Sequence, residues 1–207
     1  MRFVKSFFIL SMIFFAVACQ RSFQKVLLDE EYAKGVSLDK LVELKDNEKL
    51  VANIETSMGA IKIELFLKEA PNTVKNFIGL ALQGYYNNLI FHRSIKDFMI
   101  QTGDSTGTGE GGRSIYGGEF ADEFSYSLRF DEAGKVAMAN RGPGTNRSQF
   151  FITTAAAPWL DRKHTIFGKV IDGMDVVYQI NRIKTDQMDK PVQKIIMLKV
   201  TIEKRIY

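Results

Sequence analysis

From Glu48 onward the chain is a series of short β-type runs separated by glycine-rich or polar turns, with only two stretches of helical period. Leu50 to Thr56 and Ala60 to Phe66 form the first pair of runs. In the second of these, Ile61, Ile63 and Leu65 alternate with Lys62 and Glu64, the period of a strand with one buried face. Ser57-Met58-Gly59 between them reads as a hairpin turn. Further short strands are predicted at 90–92, 98–102, 136–139, 149–154 and 166–170, with a long last strand at 195–206. Pro71 opens a helix where its missing N–H does no harm; Val74, Phe77, Ile78 and Ala81 share one face, and Gly84 is the stop. A second helix covers roughly Met174 to Arg182. Many short strands with two helices predict a mainly β fold, an antiparallel sheet closed into a barrel with the helices covering its ends.

The N-terminus is an address rather than part of that fold. Arg2 and Lys5 are followed by an apolar stretch from Phe7 to Ala18, and Ala16-Val17-Ala18 then offers small side chains to a protease. The apolar run is about a dozen residues, short of the roughly twenty a helix needs to span hydrocarbon. The only cysteine, Cys19, follows at once. Ala-Val-Ala-Cys resembles a bacterial lipobox, with Ala16 where Leu is usual, so residues 1–18 are expected to be a signal peptide and Cys19 a lipid-anchored N-terminus. Residues 19–47 are then a tether, in which Ser37 is placed to N-cap a short turn carrying Leu38, Leu41, Val42 and Leu44. The folded domain is expected over 48–207.

Several chemistries are disfavoured. One cysteine allows no internal disulfide and no thiolate metal site, and two histidines, His92 and His164, are few for zinc, so neither metal nor cofactor is expected. A net charge of +4, dispersed along the chain, makes no concentrated footprint for nucleic acid. Gly107 to Gly112 is a formal G-x-G-x-x-G, but the Arg113-Ser-Ile-Tyr-Gly-Gly after it is no helix start, so a turning loop beside a groove is the better reading. No G-x-S-x-G elbow is present, and nothing orients Ser148 toward His164.

Three segments carry a specific signal: 91–104 (FHRSIKDFMIQTGD), 138–152 (MANRGPGTNRSQFFI) and 159–168 (WLDRKHTIFG). In this order and spacing they resemble the cyclophilin family, and Tyr116-Gly117-Gly118-Glu119-Phe120 extends the resemblance over about residues 48–207. The resemblance implies a closed eight-stranded antiparallel barrel capped by two helices, and peptidyl-prolyl cis-trans isomerase activity; with the signal peptide, the clients are expected to be exported proteins whose folding it assists. It makes Arg93 the catalytic side chain. It places Phe98, Met99, Gln101, Ala139, Asn140, Arg141, Gln149, Phe151, Trp159, Leu160 and His164 along the substrate groove, with Asn140 pairing with substrate backbone. The partners implied are proline-containing segments of client proteins, with cyclosporin-type ligands expected from Trp159 and a monomeric state. The chain departs from the usual pattern at Lys96-Asp97, where Pro-Gly is common, at Arg141, where many relatives have Ala, and at Gly144 and Arg147, where Asn and Gly are common. These positions bear on loop shape and sequence preference. A binding module that holds proline segments without turnover is the rival reading of the same pocket.

The chemistry suits the residues. An X-Pro bond resists rotation by roughly 18–20 kcal/mol because resonance makes it partly double. Twisting it leaves a pyramidal prolyl nitrogen whose lone pair accepts a hydrogen bond, and a guanidinium that is always charged is a fitting donor. Phe150, alternating with Phe151 on one strand, is expected in the core instead of the groove.

Overall fold

The computed structural model describes residues 25–29 and 33–207. The predicted signal peptide and Cys19 lie outside the described residues. Ten strands share one sheet, mainly antiparallel: β1 (Lys25–Leu28), β2 (Glu48–Thr56), β3 (Gly59–Leu65), β4 (Leu89–Ile90), β5 (Arg93–Ile95), β6 (Met99–Thr102), β7 (Lys135–Met138), β8 (Phe150–Thr153), β9 (Ile166–Asp172) and β10 (Ile196–Ile206). Their order is β1-β10-β2-β3-β9-β7-β8-β6-β5, with β4 also on β10. Among the described residues three α-helices accompany them, α1 (Leu38–Val42), α2 (Pro71–Leu82) and α3 (Met174–Asn181), plus a 3₁₀ turn at Pro158–Leu160. The strand count thus exceeds the expected eight among the described residues, and α1 is a third helix. No helix among them is long and apolar enough to cross a membrane.

The β2–β3 hairpin forms where the alternation predicts it. Thr56 closes the turn, its Oγ1 donating to the Gly59 carbonyl (2.7 Å) and accepting from the Met58 N–H (3.1 Å). Helix α2 does begin at Pro71, but its N-cap, Ala70, supplies no side-chain cap. Its orphan N–H groups are met from a distance: the Glu123 carboxylate accepts from the Asn72 and Thr73 N–H groups at 3.0 and 2.8 Å. Phe77 on its buried face then sits among the rings of Tyr86, Phe150 and Phe167, at centroid distances of 5.1, 5.5 and 5.4 Å. With Leu50, Ile54, Ile63, Ile100, Ile152 and Ile202, all fully buried, they form the main core.

The described residues of 25–29 and 33–47 are folded onto this core. β1 pairs with β10 from Lys25↔Arg205 to Leu28↔Ile202, and Leu28, Leu41 and Val42 are buried in the main core. Ser37 caps α1 as the sequence predicts, its Oγ accepting from the Lys40 N–H. The part of the expected tether that the structure describes is therefore attached to the domain instead of standing off it, because its few apolar side chains bury more surface against β10 and α2 than in water.

Candidate active site

A strand has two faces, and β6, β8 and β7 use both. Ile100, Phe150, Ile152 and Val136 point into the main core, while Met99, Phe151 and Ala137 belong to a second, smaller apolar cluster on the other face. Phe150 and Phe151 divide between the two clusters as their alternation predicts. The register sets a row across this second face: Arg93 lies opposite Gln101, Gln101 opposite Phe151, and Phe151 opposite Ala137. Residues on alternate positions share a face, so Met99 joins Gln101. Arg93 thus stands two strands from Phe151, with roughly 10 Å between backbones, a span that its side chain covers in part.

The row borders a cleft of about 250 Å³ lined by Arg93, Phe98, Met99, Gln101, Ala139, Asn140, Phe151, Leu160 and His164. Nine of the residues expected along the groove or at its catalytic centre are thereby brought together. Phe151, 5% exposed, stacks on Phe130 from below and meets His164 edge-on at 5.3 Å. His164 Nδ1 lies 2.9 Å from the Met138 carbonyl, which makes Nδ1 the protonated nitrogen of the neutral ring. Burial holds its pKa below the usual histidine value, against the pull of that carbonyl. Burial likewise lowers the pKa of His92, whose two ring nitrogens make no hydrogen bond of ordinary length among the described residues.

The other three candidates lie elsewhere. Trp159 is 58% exposed and rests on Phe98 (5.6 Å) at the rim, not in the lining. Arg141 and Gln149 line a smaller neighbouring pocket of about 70 Å³, which shares Gln101, Ala139 and Asn140 with the cleft. Gln149 links the two: its Oε1 accepts from Gln101 Nε2 (2.9 Å), and its Nε2 donates to the Gly109 and Gly111 carbonyls. Asn140 does not offer its side-chain amide: Nδ2 is given to the Lys163 carbonyl at 2.8 Å. The side chain thus braces the groove wall, and its Nδ2 is not available to a ligand.

The glycine-rich loop forms that pocket's outer wall. Asp104 organises it, accepting N–H groups from Thr106, Thr108 and Gly109. Burial alone would raise this carboxyl, but these donors hold it below the usual range. Gly103 (φ 87°) crosses so close to the Ser148 carbonyl that a Cβ would collide with it. No helix follows Gly112, which removes the dinucleotide reading. The Ser148 hydroxyl is committed to Gly103, Tyr85 and the Arg113 N–H, so it is no nucleophile. Two ion pairs edge the pocket, Arg141–Glu110 (3.4 Å) and Arg147–Glu119 (2.9 Å). Glu119 falls in the 116–120 motif, but its pairing with Arg147 was not foreseen, and neither Glu110 nor Asp189, whose carboxylate meets Arg93, was singled out from sequence. Among the described residues no group of three His, Cys, Asp or Glu side chains is placed to hold a metal ion.

The comparisons with known proteins point to one family. Residues 51–202 match the family model described as cyclophilin type peptidyl-prolyl cis-trans isomerase/CLD. The chain is 56% identical over 146 residues to the mouse peptidyl-prolyl cis-trans isomerase-like 1, covering 70% of this chain and 88% of that protein. It is 54% identical over 151 residues to the Arabidopsis thaliana peptidyl-prolyl cis-trans isomerase CYP71, covering 73% of this chain but spanning only 24% of that longer protein. The crystal structure of a Cryptosporidium parvum cyclophilin type peptidyl-prolyl cis-trans isomerase superposes with a TM-score of 0.73 at 44% identity, over 74% of this chain and 97% of that one. The same protein has been solved in the presence of the dipeptide Ala-Pro.

Proposed function

We propose how this chain, which belongs to the cyclophilin-type peptidyl-prolyl cis-trans isomerase family and is an isomerase of that type, performs its reaction and where it works. The single observation that carries the mechanism is the convergence of Arg93 with Phe98, Met99, Phe151 and Leu160 on one cleft. The pyrrolidine ring of a client proline enters the apolar floor. The guanidinium of Arg93 meets the prolyl nitrogen as its amide loses conjugation, binding the twisted state better than either planar one. Gln101, held by Gln149, orients the neighbouring backbone. No proton moves and no covalent bond forms, so each ~1.4 kcal/mol of preferential binding is a tenfold gain in rate. A barrel that closes at this site is part of the reading. It is supported by Phe91 and His92, whose N–H groups reach Ile195 beside β10 and Gln101 in β6 respectively.

The place of work is read from residues 1–19: export, and attachment to a membrane through acyl chains on Cys19 as a bacterial-type lipoprotein, with clients that fold after export. Five residues, 20–24, lie between Cys19 and β1 at Lys25, a leash of at most roughly 20 Å when extended. Such an anchor keeps the domain close to the lipid surface. A monomer and cyclosporin-type ligands complete the reading; the latter rests on Trp159 against Phe98 and can be followed by the fluorescence of the chain's one tryptophan.

Magnetisation exchange between the cis and trans signals of an X-Pro peptide tests the reaction directly. Accelerated exchange that Arg93→Ala lowers at least tenfold supports the mechanism, and tight peptide binding without acceleration would instead make the domain a proline-segment binder. Mass spectrometry of the mature chain from its native host tests the anchor: a diacylated or triacylated Cys19 is expected, and an unmodified N-terminus there or beyond defeats it.

A further inference from the structure

Arg93 begins a three-residue strand at the end of the sheet order, and its side chain is 45% exposed. A guanidinium on such a stem samples many rotamers unless something holds it. Its partner comes from 96 residues away: Nε and Nη2 both donate to Oδ2 of Asp189, each at 3.4 Å. These two donors lie on one edge of the guanidinium fork, which leaves Nη1 for a ligand in the cleft.

The carboxylate is itself fixed. Asp189 sits in a tight turn in which the Asp186 side chain accepts N–H groups from Met188 (2.8 Å) and Lys190 (3.0 Å). Thr185 and Pro191 bridge the base of the turn. The Asp189 carbonyl accepts from the Ser94 N–H at 2.8 Å, so the turn is sewn to the strand that carries Arg93. Asp189 itself holds a left-handed backbone (φ 61°), a conformation uncommon outside glycine and tolerated best by Asp and Asn. Backbone strain of this kind gathers where the surroundings must aim a side chain.

We infer that Asp189 is the positioning residue of Arg93, an anion that turns the guanidinium edge-on so that its remaining N–H groups face the prolyl nitrogen. The inference rests on the proposed catalytic role of Arg93. The pair is too exposed for its loss to matter much to folding. Its effect is on orientation, and orientation appears in turnover before it appears in binding.

The test uses the full chain and the peptide exchange assay with Asp189→Asn, Asp189→Gly and Asp189→Glu, alone and with Arg93→Ala. Both Asn and Gly accept the left-handed backbone, so neither unfolds the turn. They are expected to lower kcat by about fivefold with KM within about twofold, while Asp189→Glu recovers part of the loss. In the Arg93→Ala background, Asp189→Asn is expected to cost nothing further, because the two act as one unit. About 1 M salt, which screens exposed pairs, should bring the wild-type kcat toward that of Asp189→Asn. If Asp189→Asn turns over as the wild type does while Arg93→Ala is impaired, the inference is overturned and the role of Arg93 stands. Equal losses from Asp189→Asn with and without Arg93 overturn it too. An unimpaired Arg93→Ala removes the catalytic reading beneath it.

Discussion

The cleft and the small pocket beside it share Gln101, Ala139 and Asn140 but are built in opposite ways. The cleft is borne on strands. Its floor is the outer face of β6 and β8, whose inner face is the main core, so its shape is as fixed as the fold. The pocket is borne on loops. Its wall hangs from Asp104 and Gln149, and its rim is two exposed ion pairs. The chemistry common to a family belongs on the first kind of surface, and what one member prefers belongs on the second, where a side chain changes without disturbing packing.

The sharpest way to break that contrast is Phe151→Ala. If the cleft floor is continuous with the core, the change should cost about 3–5 kcal/mol of stability, read as a lower denaturation midpoint, together with most of the activity. A tolerated substitution would show the cleft to be as independent of the fold as the pocket. Arg93→Ala comes next: an isomerisation rate at least tenfold lower, about 1.4 kcal/mol or more, with the denaturation midpoint unchanged. Arg141→Ala sharpens the pocket side. Leaving Glu110 unpaired, it should weaken KM about twofold to fivefold for peptides with an acidic residue near the proline, ~0.5–1 kcal/mol, and improve it for basic ones. A uniform change across peptides would mean that the pocket does not select.

The smallest effect is expected in acid, from His164 in the cleft lining and from the buried His92 next to Arg93. Burial holds both rings below their ordinary pKa, so the unfolded chain takes up protons that the folded one refuses. Stability is therefore full above pH about 6.5 and falls as pH drops below it. Denaturation midpoints at pH 7.5 and 5 should show the loss, and His92→Phe should reduce it. A midpoint that rises on acidification would contradict both burials.

Much of this was legible in the sequence. The β2–β3 hairpin, the Pro71 helix start and the division of Phe150 from Phe151 follow from period and turn chemistry, which are local. What was not legible is what arrives from far along the chain. Glu123 caps α2 from 51 residues away, and Asp189 reaches Arg93 across 96. No spacing rule announces either, because only the completed sheet brings them near. The strand of Arg93 was itself passed over, since three residues between two turns carry no measurable alternation. β1 was missed for a different reason. Val26 and Leu27 are exposed and only Leu28 is buried, so its pairing with β10 is backbone hydrogen bonding that side chains barely report.

One contact made by the 186–190 turn has a meaning apart from catalysis. An isomerase spends its working life against extended, unfinished chains, and a bare sheet margin invites such chains to zip on as an extra strand. By taking the Ser94 N–H, the Asp189 carbonyl closes that invitation at β5, beyond the Phe91 and His92 contacts of the proposed barrel closure, where no further described strand lies alongside. Clients are then gripped by a ring and a few side chains instead of a ladder, and can leave as soon as the bond has turned.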